Sequence, residues 1–384
     1  MAPRSFRYVL AGGGTGGHIF PAVSIAQQLK QLDPGAEILF IGARGKMEME
    51  KVPQAGFAIE GLDIAGFNRS SLIKNIGLPF KLIKSWLQVR SIFRRFQPDA
   101  AIGVGGYSSF PVLKYAQQQG IPTFIHESNS FAGKTNILLG RKARRVYVAS
   151  RGMEKFFPSG SLMLTGNPVR TAIRSANPDR EEAARHFGLD AGKPILLVVG
   201  GSLGAKSINE AVDAGLDRLL AAGIQVIWQT GKLFERRQAS PVGSGTANPE
   251  TDRRHGSTAY WVGPFITEMD KAYTAADMIV SRAGAMAIAE IMVMGRPAIF
   301  VPYPFAAEDH QTANAKEMVA QGAGWMVADA DAGRILVDQV IELLQQEATR
   351  KAMAAKAASL AVPDADSAIA RDIIATLKKG SSPA

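Results

Sequence analysis

Glycine-rich turns that run into helix starts, with an acid or a histidine close behind, are the parts of this chain equipped to handle an anion. Met278-Ile279-Val280 is followed by Ser281-Arg282-Ala283-Gly284-Ala285 and then by Met286 to Met294, which predicts a short buried strand, a tight turn and a helix. The unpaired N–H groups of a helix start, at the positive end of its dipole, suit a diphosphate. Glu290 lies just over one turn into that helix, where a carboxylate reaches the vicinal hydroxyls of a ribose. The combination suggests a nucleotide sugar. A similar turn, Gly12-Gly13-Gly14-Thr15-Gly16-Gly17-His18, follows the apolar run Phe6 to Ala11 and precedes a helix expected from near Pro21 to Leu32. It is no Walker loop, because Gly-Lys-Ser/Thr is missing, and Gly12, Gly14 and Gly17 meet the dinucleotide spacing only loosely. A third, Gly200-Gly201-Ser202-Leu203-Gly204-Ala205, follows Ile195 to Val199.

These turns need a frame to hold them. Strand-like runs at Glu37 to Ile41, Ala58 to Ile64, Ala100 to Val104, Pro122 to Ile125 and Arg145 to Val148 alternate with helical segments, the pattern of a parallel sheet between helices. Ligands of such sheets bind beyond the carboxyl ends of the strands. That places Gly105-Gly106-Tyr107 and His126-Glu127-Ser128-Asn129 beside the first glycine turn; His126-Glu127 lacks the second histidine of a zinc-protease helix. A composition shift at Thr165 to Arg170 reads as a joint, and the strand, glycine loop and helix recur after Pro194. The fold class expected is therefore α/β, two Rossmann-like domains with parallel sheets facing across a cleft. Further on, Ser240 to Gly256 reads as a surface loop, Thr267 as an N-cap with Asp270 at its third position, and Asp366 to Lys378 as a helix returning to the first domain. The triplets Asp329-Ala330-Asp331 and Asp364-Ala365-Asp366 sit in turn or cap contexts and read as helix caps, not as metal ligands.

With 384 residues, 46% of them hydrophobic and none cysteine, the chain has ordinary globular composition and excludes disulfides and thiolate metal sites. No apolar run approaches the roughly 18 residues that cross a bilayer, so a soluble or peripheral cytoplasmic protein is expected. The net charge of +10 calls for an acidic partner. Between Ile64 and Pro98 no acid occurs, while Arg69, Lys74, Lys81, Lys84, Arg90, Arg94 and Arg95 alternate with Ile73, Leu78, Phe80, Trp86 and other apolar residues. Such a stretch suits an anionic membrane surface, and its bland alternative is a solvated helix with a core-facing stripe. Nucleic acid is not expected, since no stacking platform accompanies the charge.

Taken together and in order, Gly13 to His18, Gly105 to Tyr107, His126 to Asn129, Gly166 to Arg170, Gly200 to Ala205 and Ser281 to Glu290 resemble the N-acetylglucosaminyltransferases of glycosyltransferase family 28 over almost the whole chain. The resemblance implies a GT-B fold and an inverting transfer that uses no metal and no cofactor. The implied substrates are UDP-GlcNAc and undecaprenyl-diphospho-muramoyl-pentapeptide, on the inner face of the cytoplasmic membrane with its anionic lipids. It divides the chain into an acceptor- and membrane-binding domain, residues 1–168 with the helix at 366–384, and a UDP-GlcNAc domain, residues 169–365. Carried over by position, Thr15, Gly16, Gly17, Asn129, Arg170, Ser202, Ile266, Ala285, Met286, Ala287, Ile288, Ala289, Glu290 and Gln311 are donor positions. Ser202 would bond the diphosphate, Ile266 the uracil edge and Glu290 the ribose. Gly14, Gly105, Gly106 and Tyr107 would meet the acceptor and its diphosphate, and Ile73, Lys74, Leu78, Phe80, Lys81, Lys84 and Trp86 the membrane. His18 is the candidate base for the acceptor hydroxyl, with loop orientation as its other reading; Glu127 is the second candidate, or else a carboxylate paired with Lys or Arg. Leu203 departs from the glutamine often found there. The alternatives are a lipid glycosyltransferase with a diacylglycerol acceptor and a UDP-sugar epimerase of the same fold.

Overall fold

The computed structural model describes residues 5–65, 78–175, 179–201, 203–234, 259–306 and 309–380. Ser202, Ile73, Lys74 and the loop Ser240 to Gly256 lie outside them. The chain divides into two compact units, residues 1–170 with 362–384, and residues 171–361.

The first unit contains β1 (Arg7–Ala11), α1 (Gly16–Leu32), β2 (Glu37–Ala43), α2 (Glu48–Gln54), β3 (Ala58–Leu62), α3 (Leu78–Phe96), β4 (Ala100–Gly103), α4 (Ser109–Gln118), β5 (Thr123–Glu127), α5 (Lys134–Gly140), β6 (Arg145–Val148) and β7 (Leu162–Leu164). Its strands are ordered β3-β2-β1-β4-β5-β6-β7 and run parallel. Alternation along β1 explains the layering, because successive side chains leave a strand on opposite faces. Tyr8 and Leu10 join Ile25, Leu29 and Phe124 on one face, whereas Val9 and Ala11 join Val89, Ile92 and Val112 on the other.

The second unit contains α6 (Thr171–Arg174), α7 (Arg180–His186), β8 (Ile195–Val199), α8 (Lys206–Ala221), β9 (Gln225–Gln229), β10 (Tyr260–Gly263), α9 (Met269–Ala275), β11 (Met278–Ser281), α10 (Ala285–Val293), β12 (Ala298–Phe300), α11 (His310–Ala320), β13 (Trp325–Met326), α12 (Ala332–Gln345) and α13 (Glu347–Leu360). Its strand order is β10-β9-β8-β11-β12-β13, again parallel. The chain then re-enters the first unit as α14 (Ala365–Gly380), which packs on α1 and puts Ile369, Ala370 and Ile373 into the core beneath it.

Three local expectations are corrected. The first helix starts at Gly16, not near Pro21, and Pro21 lies inside it. Pro21 gives up the hydrogen bond to the Gly17 carbonyl and crowds it, at a position still near the helix start. Thr267 caps nothing: α9 starts two residues later, with Glu268 at its N-cap position and no side-chain cap bond. The Asp329 and Asp331 carboxylates are ion-pair partners of Arg282 and Arg334, not caps.

Candidate active site

Each strand order reverses direction once, between β1 and β4 in the first unit and between β8 and β11 in the second. At such a switch point the loops leaving two neighbouring strands diverge to opposite faces and open a crevice. The glycine turns sit there in both units.

In the first unit, Thr15 is the extended N-cap residue of α1, and the Gly12–Gly14 turn meets the turn Gly105-Gly106 that leaves β4. The two interlock closely. Gly106 has φ +84°, and a Cβ there would lie 2.6 Å from the Gly13 carbonyl oxygen; no other residue fits. His18 lies in the first turn of α1, half-buried, with Nδ1 3.1 Å from the Gly13 carbonyl. A carbonyl only accepts, so Nδ1 is the protonated nitrogen in this bond, and the neutral tautomer compatible with it has its lone pair on Nε2. Nε2 faces bare backbone: a Cβ on Gly105 would fall 2.9 Å from it. The Tyr107 hydroxyl is buried and has no hydrogen-bond partner among the described residues. Burial, and behind it the Glu48 charge, push it above its ordinary pKa. Arg170 lays its guanidinium over the Phe20 ring at 4.8 Å.

Glu127 is occupied otherwise. It is buried at the end of β5, and its carboxylate accepts from the Asn129 N–H (3.1 Å), Asn129 Nδ2 (3.2 Å), the Gly133 N–H (3.1 Å) and Asn136 Nδ2 (2.8 Å). Four donors use the four lone-pair sites of a carboxylate. Its partners are neutral amides, not the Lys or Arg expected, and the group is placed to hold the β5–α5 loop and Asn129 instead of taking a proton. His126, fully buried before it, points Nε2 at the Gly166 carbonyl (3.3 Å), and burial lowers its pKa to about 4.

In the second unit the turn after β11 leads into α10, whose first regular bond runs from the Ile288 N–H to the Gly284 carbonyl. The N–H groups of Met286 and Ala287 precede that bond and have no carbonyl behind them in the helix. Ala285, Met286 and Ala287 are half-buried, while Ile288 and Ala289 are buried in the protein. Glu290 is buried too and accepts from the Tyr273 hydroxyl at 3.1 Å. Gln229, at the end of β9, ties the site together: Nε2 donates to the Gly201 carbonyl (3.2 Å), and Oε1 accepts the Ile266 N–H (2.9 Å). That N–H is therefore engaged, so a base pairing at Ile266 has to run through its carbonyl or displace Gln229. Gln311 Oε1 accepts from the Tyr303 N–H at 3.0 Å. Arg282, next to the turn, is directed into the protein, bonding the Val301 and Pro302 carbonyls, Ser207 and Asp329. Glu48, Asn136, Tyr273 and Gln229 escape a sequence reading, since none belongs to a glycine turn or a recognisable spacing.

Helix α3 carries the basic patch only in part. Phe80 and Ile83 are 76% and 62% exposed, and Leu82 and Leu87 are exposed beside them. Trp86 is corrected: it is half-buried, edge-on to Tyr115 at 5.2 Å, and packs on the core. Lys84 pairs with Asp63 and Arg95 with Glu60, acids that precede the acid-free stretch. No helix among the described residues is long and apolar enough to cross a membrane.

Comparison with known proteins decides the family. The glycosyltransferase family 28 N-terminal domain matches residues 8–148 and the family 28 C-terminal domain matches residues 195–369. A protein of Phocaeicola vulgatus named UDP-N-acetylglucosamine--N-acetylmuramyl-(pentapeptide) pyrophosphoryl-undecaprenol N-acetylglucosamine transferase is 48% identical over 369 residues, 96% of each chain. The chain belongs to glycosyltransferase family 28. A protein of Cytophaga hutchinsonii with the same name is 43% identical over 96% of each chain. The solved structure of Acinetobacter baumannii MurG is 31% identical and superposes with a TM-score of 0.69, over 97% of this chain and 100% of that one. The UDP-GlcNAc 2-epimerase of Neisseria meningitidis, at 13% identity and a TM-score of 0.65 over 96% of this chain and all of its own, shares the fold alone.

Proposed function

We infer that this family 28 protein transfers N-acetylglucosamine from UDP-GlcNAc to the C4 hydroxyl of the muramoyl sugar of a polyprenyl-diphosphate-linked muramoyl-pentapeptide, inverting the anomeric centre. The observation that supports this most directly is His18, whose Nδ1 lies at the Gly13 carbonyl so that Nε2, beside the side-chain-free Gly105, is the ring nitrogen left to accept a proton, in a chain that matches a relative bearing that transferase's name over 96% of its length. As the C4 oxygen bonds to C1 of the donor sugar, its proton passes to Nε2; the bond from C1 to the diphosphate breaks, and its electron pair leaves with UDP.

The charge that UDP gains is met by the first N–H groups of α10, at Met286 and Ala287 beside Ala285, and by the Gly200–Gly204 turn with Ser202. Glu290, braced by Tyr273, takes the ribose hydroxyls, and Gln311 a sugar hydroxyl. Thr15, Gly16, Gly17, Asn129 and Arg170 are the first unit's donor positions. Gly14, Gly105, Gly106 and the unpartnered Tyr107 hydroxyl receive the acceptor. No resident metal is assigned. The exposed apolar residues of α3, with Lys81, rest on the anionic inner leaflet.

Purified protein should release UDP from UDP-GlcNAc only when a polyprenyl-diphospho-muramoyl acceptor is present, at a rate that EDTA leaves unchanged. Faster turnover of UDP-glucose with diacylglycerol, or an epimerised sugar without any acceptor, would defeat the reading.

A further inference from the structure

Glu48 opens α2, where an acid in a first helical turn is ordinarily a solvated partner of the helix dipole. Here it is fully buried. Its carboxylate reaches under the first glycine turn: Oε2 accepts the Gly14 N–H at 2.9 Å and Oε1 the Ala43 N–H at 3.0 Å. The room for it is made by Gly13, where a Cβ would fall 2.2 Å from Oε1. The Gly14 N–H and the Gly13 carbonyl belong to one peptide unit, and that carbonyl is the acceptor of the His18 Nδ1 proton.

We propose that Glu48 is a positioning residue for His18, acting through the Gly13–Gly14 peptide. A carboxylate on the N–H end of a peptide fixes its plane and draws electron density toward its oxygen, strengthening that oxygen as an acceptor. The oxygen then holds the imidazole in the Nδ1–H tautomer, which leaves the lone pair on Nε2, at the ring edge beside Gly105. The chain carboxylate, peptide, imidazole does what a carboxylate in direct contact does for other catalytic histidines, with one peptide interposed. No proton crosses the peptide. The catalytic meaning of this arrangement rests on His18 accepting the acceptor's proton, as inferred above; the tautomer it imposes does not.

The two ideas separate experimentally. In full-length protein labelled with 15N-histidine, the His18 signals, assigned by difference from His18→Asn, should show a single neutral tautomer protonated at Nδ1. A mixed or Nε2-protonated ring in the unaltered protein overturns the proposal without any variant. Glu48→Gln offers one acceptor oxygen to two backbone donors, so at least one bond is lost. It should mix the His18 tautomers and lower kcat by roughly tenfold to a hundredfold while the KM for UDP-GlcNAc stays within about twofold. Glu48→Asp, which keeps the charge on a shorter stem, should fall between the two. An unaltered His18 spectrum in folded Glu48→Gln overturns the proposal; full turnover by His18→Asn instead overturns the base assignment and leaves the Glu48 result standing.

Discussion

Two acidic side chains and two histidines show how differently the same chemistry can be used in one unit. Glu127 follows a histidine at a strand end and looks, in sequence, like a base; with four amide donors around it, it acts as a knot in the β5–α5 loop. Glu127→Gln would turn an amide NH2 toward donors now satisfied. The expected cost is about 1–3 kcal/mol of stability, read as a lower unfolding temperature; a variant that keeps its unfolding temperature and loses only kcat would restore Glu127 as a base. His126 makes a prediction of its own. Its folded pKa of about 4 lies below the unfolded value near 6.5, so between those pH values the unfolded chain binds a proton that the folded one does not. Stability from this group is whole above about pH 6.5 and drains away toward pH 4, on the order of 3 kcal/mol. His126→Gln should flatten that limb of a denaturation series, and an equally steep limb would contradict the assignment. His18 and Glu290 were legible in sequence because glycine turns flag them. Glu48 was not: in a chain with 34 acids, burial is what singles it out, and burial comes only with the fold.

At the scale of elements, periodicity marked α3 as amphipathic without saying which apolar residues face inward. Trp86 turns in to Tyr115, whereas Phe80 and Ile83, three positions apart, turn out together. Replacing Phe80 and Ile83 with aspartate should therefore weaken binding to anionic vesicles at least tenfold, by removing apolar area and adding repulsion, and leave the unfolding temperature unchanged. Trp86→Ala should do the opposite, lowering stability by about 1–3 kcal/mol, less than a full core truncation because the ring is only half-buried. Equal vesicle binding by the double variant would return α3 to the role of a solvated helix. The same limit applies to Pro21: proline favours a first helical position, but Thr15, with its extended backbone, sets the helix entry five residues before the start that Pro21 alone suggests. Local preference was overruled by the turn that the two glycine loops share.

For the whole molecule, the alternation of strands and helices was enough to give two parallel sheets, and the glycine turns marked the strand ends where a ligand binds. What sequence could not give is the neighbour of each strand, since β4 returns beside β1 through pairings such as Leu10 with Ile102 that no local pattern encodes. The helix α14 belongs to the unit it rejoins: Ile369 and Ile373 are fully buried there, and Asp372 accepts from the Tyr147 hydroxyl at 2.8 Å. Ile373→Ala should cost about 2–5 kcal/mol in one calorimetric transition, that of the first unit, with the other left in place; a loss shared by both transitions would mean that the units unfold together.

That returning helix sets an order of events during synthesis. A ribosome delivers β1 and its neighbours first, and α1 can cover part of the sheet face bearing Tyr8, Phe124 and Tyr147, yet the part that α14 covers stays open until all of residues 171–361 have emerged. The inserted half can mature while still tethered to the nascent chain; the half translated earliest must wait, partly bare, and is finished last.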